Sequence, residues 1–315
     1  MQEHDFHIIR THGLTKTFGE HRAVNNVDLL VPQGTVYGFL GPNGSGKSTT
    51  MKLLLGLMKP TAGEVFINGR KLTKASRPEL LGRVGSMIEA PPGYGHLTGW
   101  ENLKIVQSML GLEERQIAQA LDIVRLTKNK DKLVKNYSLG MKQRLAIAAT
   151  LLREPDLLIF DEPTNGLDPA GIQEIRTTMR ALADAGRTVL VASHLLGEIE
   201  QIADSVSIMG RGRVIAAGDL EEFLNDGSEY VAVEIDDIPA AFETLRQAGF
   251  GGQLVSGQLR VTRDEGLDPA AVARVLGEAD LWPRHLSLQR SSLESVFLEL
   301  TEDERLTTTQ GRAVA

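Results

Sequence analysis

The chain has 315 residues, 42% of them hydrophobic and 24% charged, the balance of a globular protein with one large domain or two ordinary ones. A formal charge of -7 is the wrong sign for a general nucleic-acid binder, and the lack of cysteine excludes disulfides, thiolate metal sites and a cysteine nucleophile. No run approaches the roughly 18 apolar residues that cross a bilayer, and residues 1–10 are too polar for a signal peptide, so a cytoplasmic chain that reaches a membrane only through a partner is expected.

In chain order, short strands are predicted over 6–11, 27–31, 35–40 and 65–67, with Asn68-Gly69 as a turn signal. After the third strand come Gly41, Pro42, Asn43, Gly44, Ser45, Gly46, Lys47, Ser48 and Thr49, which fit G-x-x-x-x-G-K-[ST] at every specified position. A helix is predicted over 49–57, so the motif sits between strand and helix as it must. Glycines let backbone N–H groups turn inward around an anion, and the helix N-terminus adds partial positive charge. Lys47 is then expected to reach the β- and γ-phosphates, and the Ser48 hydroxyl to bind Mg²⁺.

Beyond the loop, helix and strand alternate, the pattern of an α/β protein. Buried strands are predicted over 157–160, 188–193 and 206–209, and helices over 141–152, 172–185 and 197–203. Leu157-Leu158-Ile159-Phe160-Asp161-Glu162 is an apolar strand that ends in two acids. Asp161 is expected to hold the Mg²⁺ shell, and Glu162 to polarise an attacking water. A second unit begins near Asp219, with strands over 229–235, 253–255, 259–262 and 286–288, helices over 239–248 and 269–276, and a turn at Ser256-Gly257. The order β-α-β-β-α-β is a split βαβ arrangement. A closing helix over 292–300 aligns Leu293, Val296, Phe297 and Leu300 on one face, and the polar tail is expected to be disordered. The domains expected are therefore 1–218, 219–305 and a tail over 306–315.

Taken together, Gly41 to Thr49, Tyr137-Ser138-Leu139-Gly140-Met141-Lys142-Gln143, Leu157 to Glu162, Asn165-Gly166-Leu167-Asp168 and Ser193-His194 resemble the ATP-binding cassette (ABC) family in order and spacing, over residues 6 to 218. The resemblance implies an α/β P-loop NTPase fold: a RecA-like core, an antiparallel β subdomain and a helical subdomain, here followed by a small α+β domain. It implies an ATPase that uses ATP and Mg²⁺ and powers a membrane transporter. It also implies a dimer, a homodimer being the expected form, in which Ser138 and Gly140 of one subunit meet the phosphate loop of the other. Tyr137, Leu139 and Met141 depart from the family's usual L-S-G-G-Q. The same likeness makes His194 the switch histidine at the γ-phosphate, Asp168 the residue communicating across the dimer, and Phe18 the aromatic that stacks on adenine.

Glu89 stands where the family normally has glutamine, and with the stretch from Pro91 to Leu103 it is similar to ATPases of bacitracin-type and lantibiotic-immunity exporters. A carboxylate is a hard oxygen ligand suited to Mg²⁺, so Glu89 is expected in the metal shell and in coupling to the permease. Residues 292–301 resemble the closing motif of drug and antibiotic exporters. The expected partners are an ABC-2 type permease and a second ATPase subunit, at the cytoplasmic face of the membrane, with no nucleic acid. The competing classes are a soluble cassette ATPase acting on ribosome or nucleic acid and a non-hydrolysing regulatory module. The chain lacks the second cassette or basic insertion of the former, and Glu162 and His194 speak against the latter.

Overall fold

The computed structural model describes residues 7–88, 93–225, 229–255, 258–262, 267–289, 292–298 and 300. They form two compact units, one ending at Asp219 and the other starting at Leu220. The first is built on a six-stranded sheet. Its spatial order is β11 (Arg213–Asp219), β10 (Ser205–Gly210), β4 (Val36–Leu40), β9 (Thr188–Ser193), β8 (Leu157–Asp161) and β7 (Val84–Met87). Every pairing is parallel except that of β10 with β11. β4, β9 and β10 are buried at every residue, and β8 as far as Phe160. Strands covered on both faces read as continuous apolar runs, which is why they stand out in the sequence. Because β4, β9 and β8 are parallel neighbours, the segments that follow them emerge side by side at one sheet edge, where open α/β sheets bind ligands.

A second, antiparallel sheet has the order β2 (His21–Val27), β1 (His7–Phe18), β5 (Ala62–Ile67) and β6 (Arg70–Lys71), with β3 (Leu30–Pro32) also paired to β1. β1 runs well beyond the predicted 6–11. Gly13, at φ 57°, and two register shifts against β2 bend its polar half so that pairing continues. The strand predicted over 27–31 is broken instead between β2 and β3. Buried Thr11 bridges the break: its hydroxyl donates to Val27 O and accepts from Leu29 N, both at 2.8 Å.

α1 (Lys47–Leu54) follows β4, α2 (Arg77–Leu81) precedes β7, and α6 (Pro169–Asp184) and α7 (Leu196–Ile199) flank β9 in sequence. α7 stops short of the predicted 197–203. A helical layer of α3 (Gly99–Leu110), α4 (Arg115–Ile123) and α5 (Leu139–Leu151) packs together. α3 opens with a capping box between Thr98 and Glu101 and stops at Gly111, which is left-handed at φ 66°.

The second unit starts with α8 (Leu220–Asn225) and continues as β12 (Tyr230–Glu234), α9 (Ile238–Gln247), β13 (Gly251–Val255), β14 (Gln258–Thr262), α10 (Pro269–Glu278) and β15 (His285–Gln289). The sheet is antiparallel throughout, in the order β13-β14-β12-β15, which is the split βαβ topology. Val231, Val233, Leu259 and Val261 project into a core with Ala241, Leu245, Val272 and Leu276 of the two helices. Asp237 and Asp268 cap those helices, with Pro inside each first turn. Residues 293–298 are helical, and Leu293 is buried. Ser256-Gly257 and the tail over 306–315 lie outside the described residues. Among the described residues no helix is long and apolar enough to cross a membrane.

Candidate active site

The loop after β4 is wound on glycines that nothing larger can replace. Gly41 has φ 152° and Gly46 φ 106°, and a Cβ on either would stand 2.4 Å from a carbonyl oxygen, of Met209 and Ala23 respectively. Gly46 is the N-cap of α1 and no side chain caps that helix, so its first N–H groups are left for an anion. Lys47 is 5% exposed and its ammonium donates to Gly41 O at 2.7 Å and Pro42 O at 3.3 Å. Its third neighbour is Glu162 Oε1, at 3.4 Å. The cation is thus held by its own loop and by the second acid of β8's end.

Glu162 takes a left-handed φ of 50°, uncommon for a side chain of this size, and is pinned there by its N–H donating to Ala192 O at 2.9 Å. The turn sends one carboxylate oxygen to Lys47 and the other to His194 Nδ1, 2.7 Å away. Lys47, Glu162 and His194, expected on sequence grounds, therefore form one contiguous group. Asp161 accepts a hydrogen bond from the Ser48 hydroxyl, while its Oδ1 is buried with no partner among the described residues. Burial holds its carboxyl above the usual 3.8; the Ser48 hydrogen bond opposes this and the Glu162 charge adds to it.

That shift has a sign. Above pH 3.8 the unfolded chain releases the proton before the folded one does, so ionisation costs the fold stability, fully so once pH passes the raised folded value. Asp161→Asn removes the charge at constant shape. In EDTA and without nucleotide, this variant is expected to melt above the unaltered chain at neutral pH. The gain should vanish near pH 3.8 and below; thermal melts across that range check it, and a variant melting lower at pH 7 refutes it.

Phe18 ends β1 and is paired with His21 across a tight turn at Gly19, φ 56°. The ring is half exposed, and a cavity of about 390 Å³ runs from Phe18 and His21 past Lys47, Ser48 and Thr49 to Glu162. His21 and Ala23 are wall residues that the motifs do not mark. Only the hairpin register, unknown before the fold, could have found them.

Ser138 caps α5, its hydroxyl accepting from Met141 N at 3.2 Å, so the departures from the usual signature leave a regular helix start. Leu139 packs towards Gly166, and Gly140 faces Leu167 and Gly171. Asp168 caps α6 by accepting from Gly171 N at 3.0 Å. Gln143, the last residue of the signature stretch, donates from its buried amide to Pro163 O at 3.1 Å. The signature and the segment after Glu162 are thereby joined. Neither Ser138 nor Gly140 lines the Phe18–Glu162 cavity of its own chain. Glu89 lies outside the described residues.

The ABC transporter family profile matches residues 24–165. The ABC transporter ATP-binding protein YcbN of Bacillus subtilis is 41% identical over 299 residues, covering 93% of this chain and 97% of its own length. This chain belongs to the ABC transporter ATP-binding proteins. The bacitracin transport ATP-binding protein BcrA of Enterococcus faecalis is 43% identical, over 77% of this chain and 79% of its own. Among solved structures, the dimeric cassette MJ0796 in a post-hydrolysis state bound to ADP and Pi superposes with a TM-score of 0.60. It is 26% identical, over 67% of this chain and 98% of its own. The protein is an ABC ATPase: the family match lies within its first unit, and it binds and hydrolyses ATP as a transporter's ATP-binding subunit.

Proposed function

We propose that this ABC ATPase powers an exporter of antibiotic, peptide or other drug-like cargo, as an ATP-clamped homodimer at the cytoplasmic face of the membrane beneath an ABC-2 type permease. The observation that carries the dimer is the division of the site. Lys47 and Glu162 line one cavity, with His194 bonded to Glu162, while the donors Ser138 and Gly140 do not line it in the same chain. A second copy supplies them. Bacitracin transport by BcrA supports the cargo class.

In this reading residues 41–49 cradle the phosphates with N–H groups and the Lys47 ammonium, and Phe18 stacks on adenine. Glu162 accepts a proton from the attacking water. His194, oriented by Glu162, keeps its other ring nitrogen for the γ-phosphate. Asp168, capping α6 beside Gly140's neighbour Gly171, relays the state of one site to the other. The orphaned Asp161 oxygen and the Ser48 hydroxyl are hard donors that fit Mg²⁺, and Glu89 is assigned to the same shell on sequence alone. The ion, when bound, neutralises phosphate charge. A groove of about 290 Å³ lined by Asn102, Leu103, Val106, Leu145 and Ala149 between α3 and α5 supports permease docking at residues 93–103.

The test is expression together with a candidate ABC-2 type membrane subunit in a sensitive bacterium. A rise in the inhibitory concentration of bacitracin or a lantibiotic, accompanied by Mg²⁺-dependent ATP hydrolysis in membranes, is expected. No rise for any agent of the panel sinks the cargo reading. A Glu89→Gln arm that matches the unaltered chain in both readouts removes Glu89 from the scheme.

A further inference from the structure

Residues 95–100 and 130–135 are zipped by backbone hydrogen bonds. Lys135 N donates to Gly95 O at 3.0 Å, Val134 N to Leu97 O at 2.9 Å, Gly99 N to Lys132 O at 3.3 Å and Trp100 N to Lys130 O at 2.9 Å. Thr98 and Leu133 are bridge partners at its middle, and the Lys130 ammonium lies 5.1 Å from the centre of the Trp100 ring. One side of this ladder leads into α3 and borders the groove between α3 and α5. The other leads to Ser138 at the start of α5.

Tyr137 closes the second side on itself. Its hydroxyl donates to Asn129 O at 2.7 Å, and its N–H donates to Val134 O at 3.1 Å. The side chain is buried, and burial, then the charge of Asp131, raises the phenol pKa, so the hydroxyl stays a donor at neutral pH. The ring lies against Gly99, the first residue of α3. A Cβ at Gly99 would stand 2.2 Å from Tyr137 Oη and 3.2 Å from Cζ. No left-handed φ is involved, so glycine is required here for space alone. Tyrosine and glycine at these positions are thus one fitted pair, directly before the signature serine and directly at the α3 N-terminus.

We propose that Tyr137 is a positioning residue for the reaction: its phenol, seated on Gly99 and tied to Asn129, fixes Ser138 to the N-terminus of α3, so that the donor offered to the partner's γ-phosphate and the groove-bordering segment move as one piece. The proposal rests on the dimer reading above. Tyr137 touches no part of the nucleotide cavity of its own chain. Its removal should therefore leave capture of nucleotide by a single subunit intact and weaken the ATP-dependent closure that follows.

The experiment uses the full chain in a Glu162→Gln background for dimer formation, and the otherwise unaltered chain for turnover. Tyr137→Phe keeps the ring and deletes one hydrogen bond, whose net worth corresponds to roughly 2- to 10-fold. The ATP concentration for half-dimerisation should rise by that factor, and kcat should fall similarly. Affinity of the monomer for a fluorescent ADP should not change. Gly99→Ala should be more severe, and adding Tyr137→Phe to it should bring function back towards the level of Tyr137→Phe alone by removing the atom at 2.2 Å. Rescue of one variant by the other is not expected from generic destabilisation. Equal dimerisation thresholds and equal kcat for Tyr137→Phe and its parent overturn the proposal, as does a double variant worse than Gly99→Ala. If Glu162→Gln with native Tyr137 stays monomeric in ATP, the dimer reading itself fails and this proposal falls with it.

Discussion

Glu162→Gln is expected to lock two ATP-loaded subunits together and to lower turnover by about 10²- to 10⁴-fold, the usual contribution of a positioned general base. The geometry gives two separate reasons. The amide keeps the shape of the carboxylate and can still accept from His194, but it no longer draws a proton from water. The substitution also deletes the ion pair between Glu162 and buried Lys47, 3.4 Å apart. In the resting chain that carboxylate occupies the cation which the phosphates need, so incoming ATP must displace it. With glutamine there is no competing charge, and ATP holds the ammonium unopposed. The variant should therefore melt lower than the unaltered chain without nucleotide and gain more from ATP. Gel filtration with and without ATP, together with phosphate release, checks both halves. A variant that elutes only as monomer in ATP, or that turns over at the unaltered rate, rules out the assigned role.

Lys47→Ala is expected to lose ATP binding by about 10- to 100-fold, the value of one or more charge-assisted hydrogen bonds at 1.5–3 kcal/mol each. The loss in kcat should be larger, about 10²- to 10³-fold, because charge on the transferring group peaks in the transition state. The loop's own architecture adds to the effect. Lys47 closes the loop by donating to the carbonyls of Gly41 and Pro42, so alanine leaves those acceptors and the Glu162 carboxylate without their cation. The damage thus reaches the shape of the cradle as well as its charge. Titration with a fluorescent nucleotide separates binding from turnover. ATP hydrolysis within about twofold of the unaltered rate would contradict every role given to the loop.

Much of this architecture is legible in single segments. Strand β9 is read at its observed bounds, 188–193, because a strand buried on both faces carries an unbroken apolar run. The phosphate loop is legible because its glycines are demanded by backbone geometry that no side chain tolerates. The split βαβ order of the second unit shows through because its strands alternate and its helices open with Asp and Pro. Only the first half of β1 is legible because its outer part is polar, and register shifts between Leu14 and Thr17, not apolar content, keep it paired. The α3 boundary was available in Thr98, Glu101 and Gly111, a capping box and a C-terminal glycine. The wall residue His21 carried no such mark.

What the residues determined unaided is the local chemistry: which loop can wrap an anion, which strand ends in acids, which histidine follows an apolar run. Those properties depend on neighbours along the chain. The tertiary structure alone decided that Glu162 turns left-handed to stand between Lys47 and His194, that Tyr137 rests on Gly99, and that Ser138 and Gly140 stay outside their own chain's cavity. Such relations join residues tens to more than a hundred positions apart, and strand order in a parallel sheet, which brings those residues together, leaves no trace in local sequence.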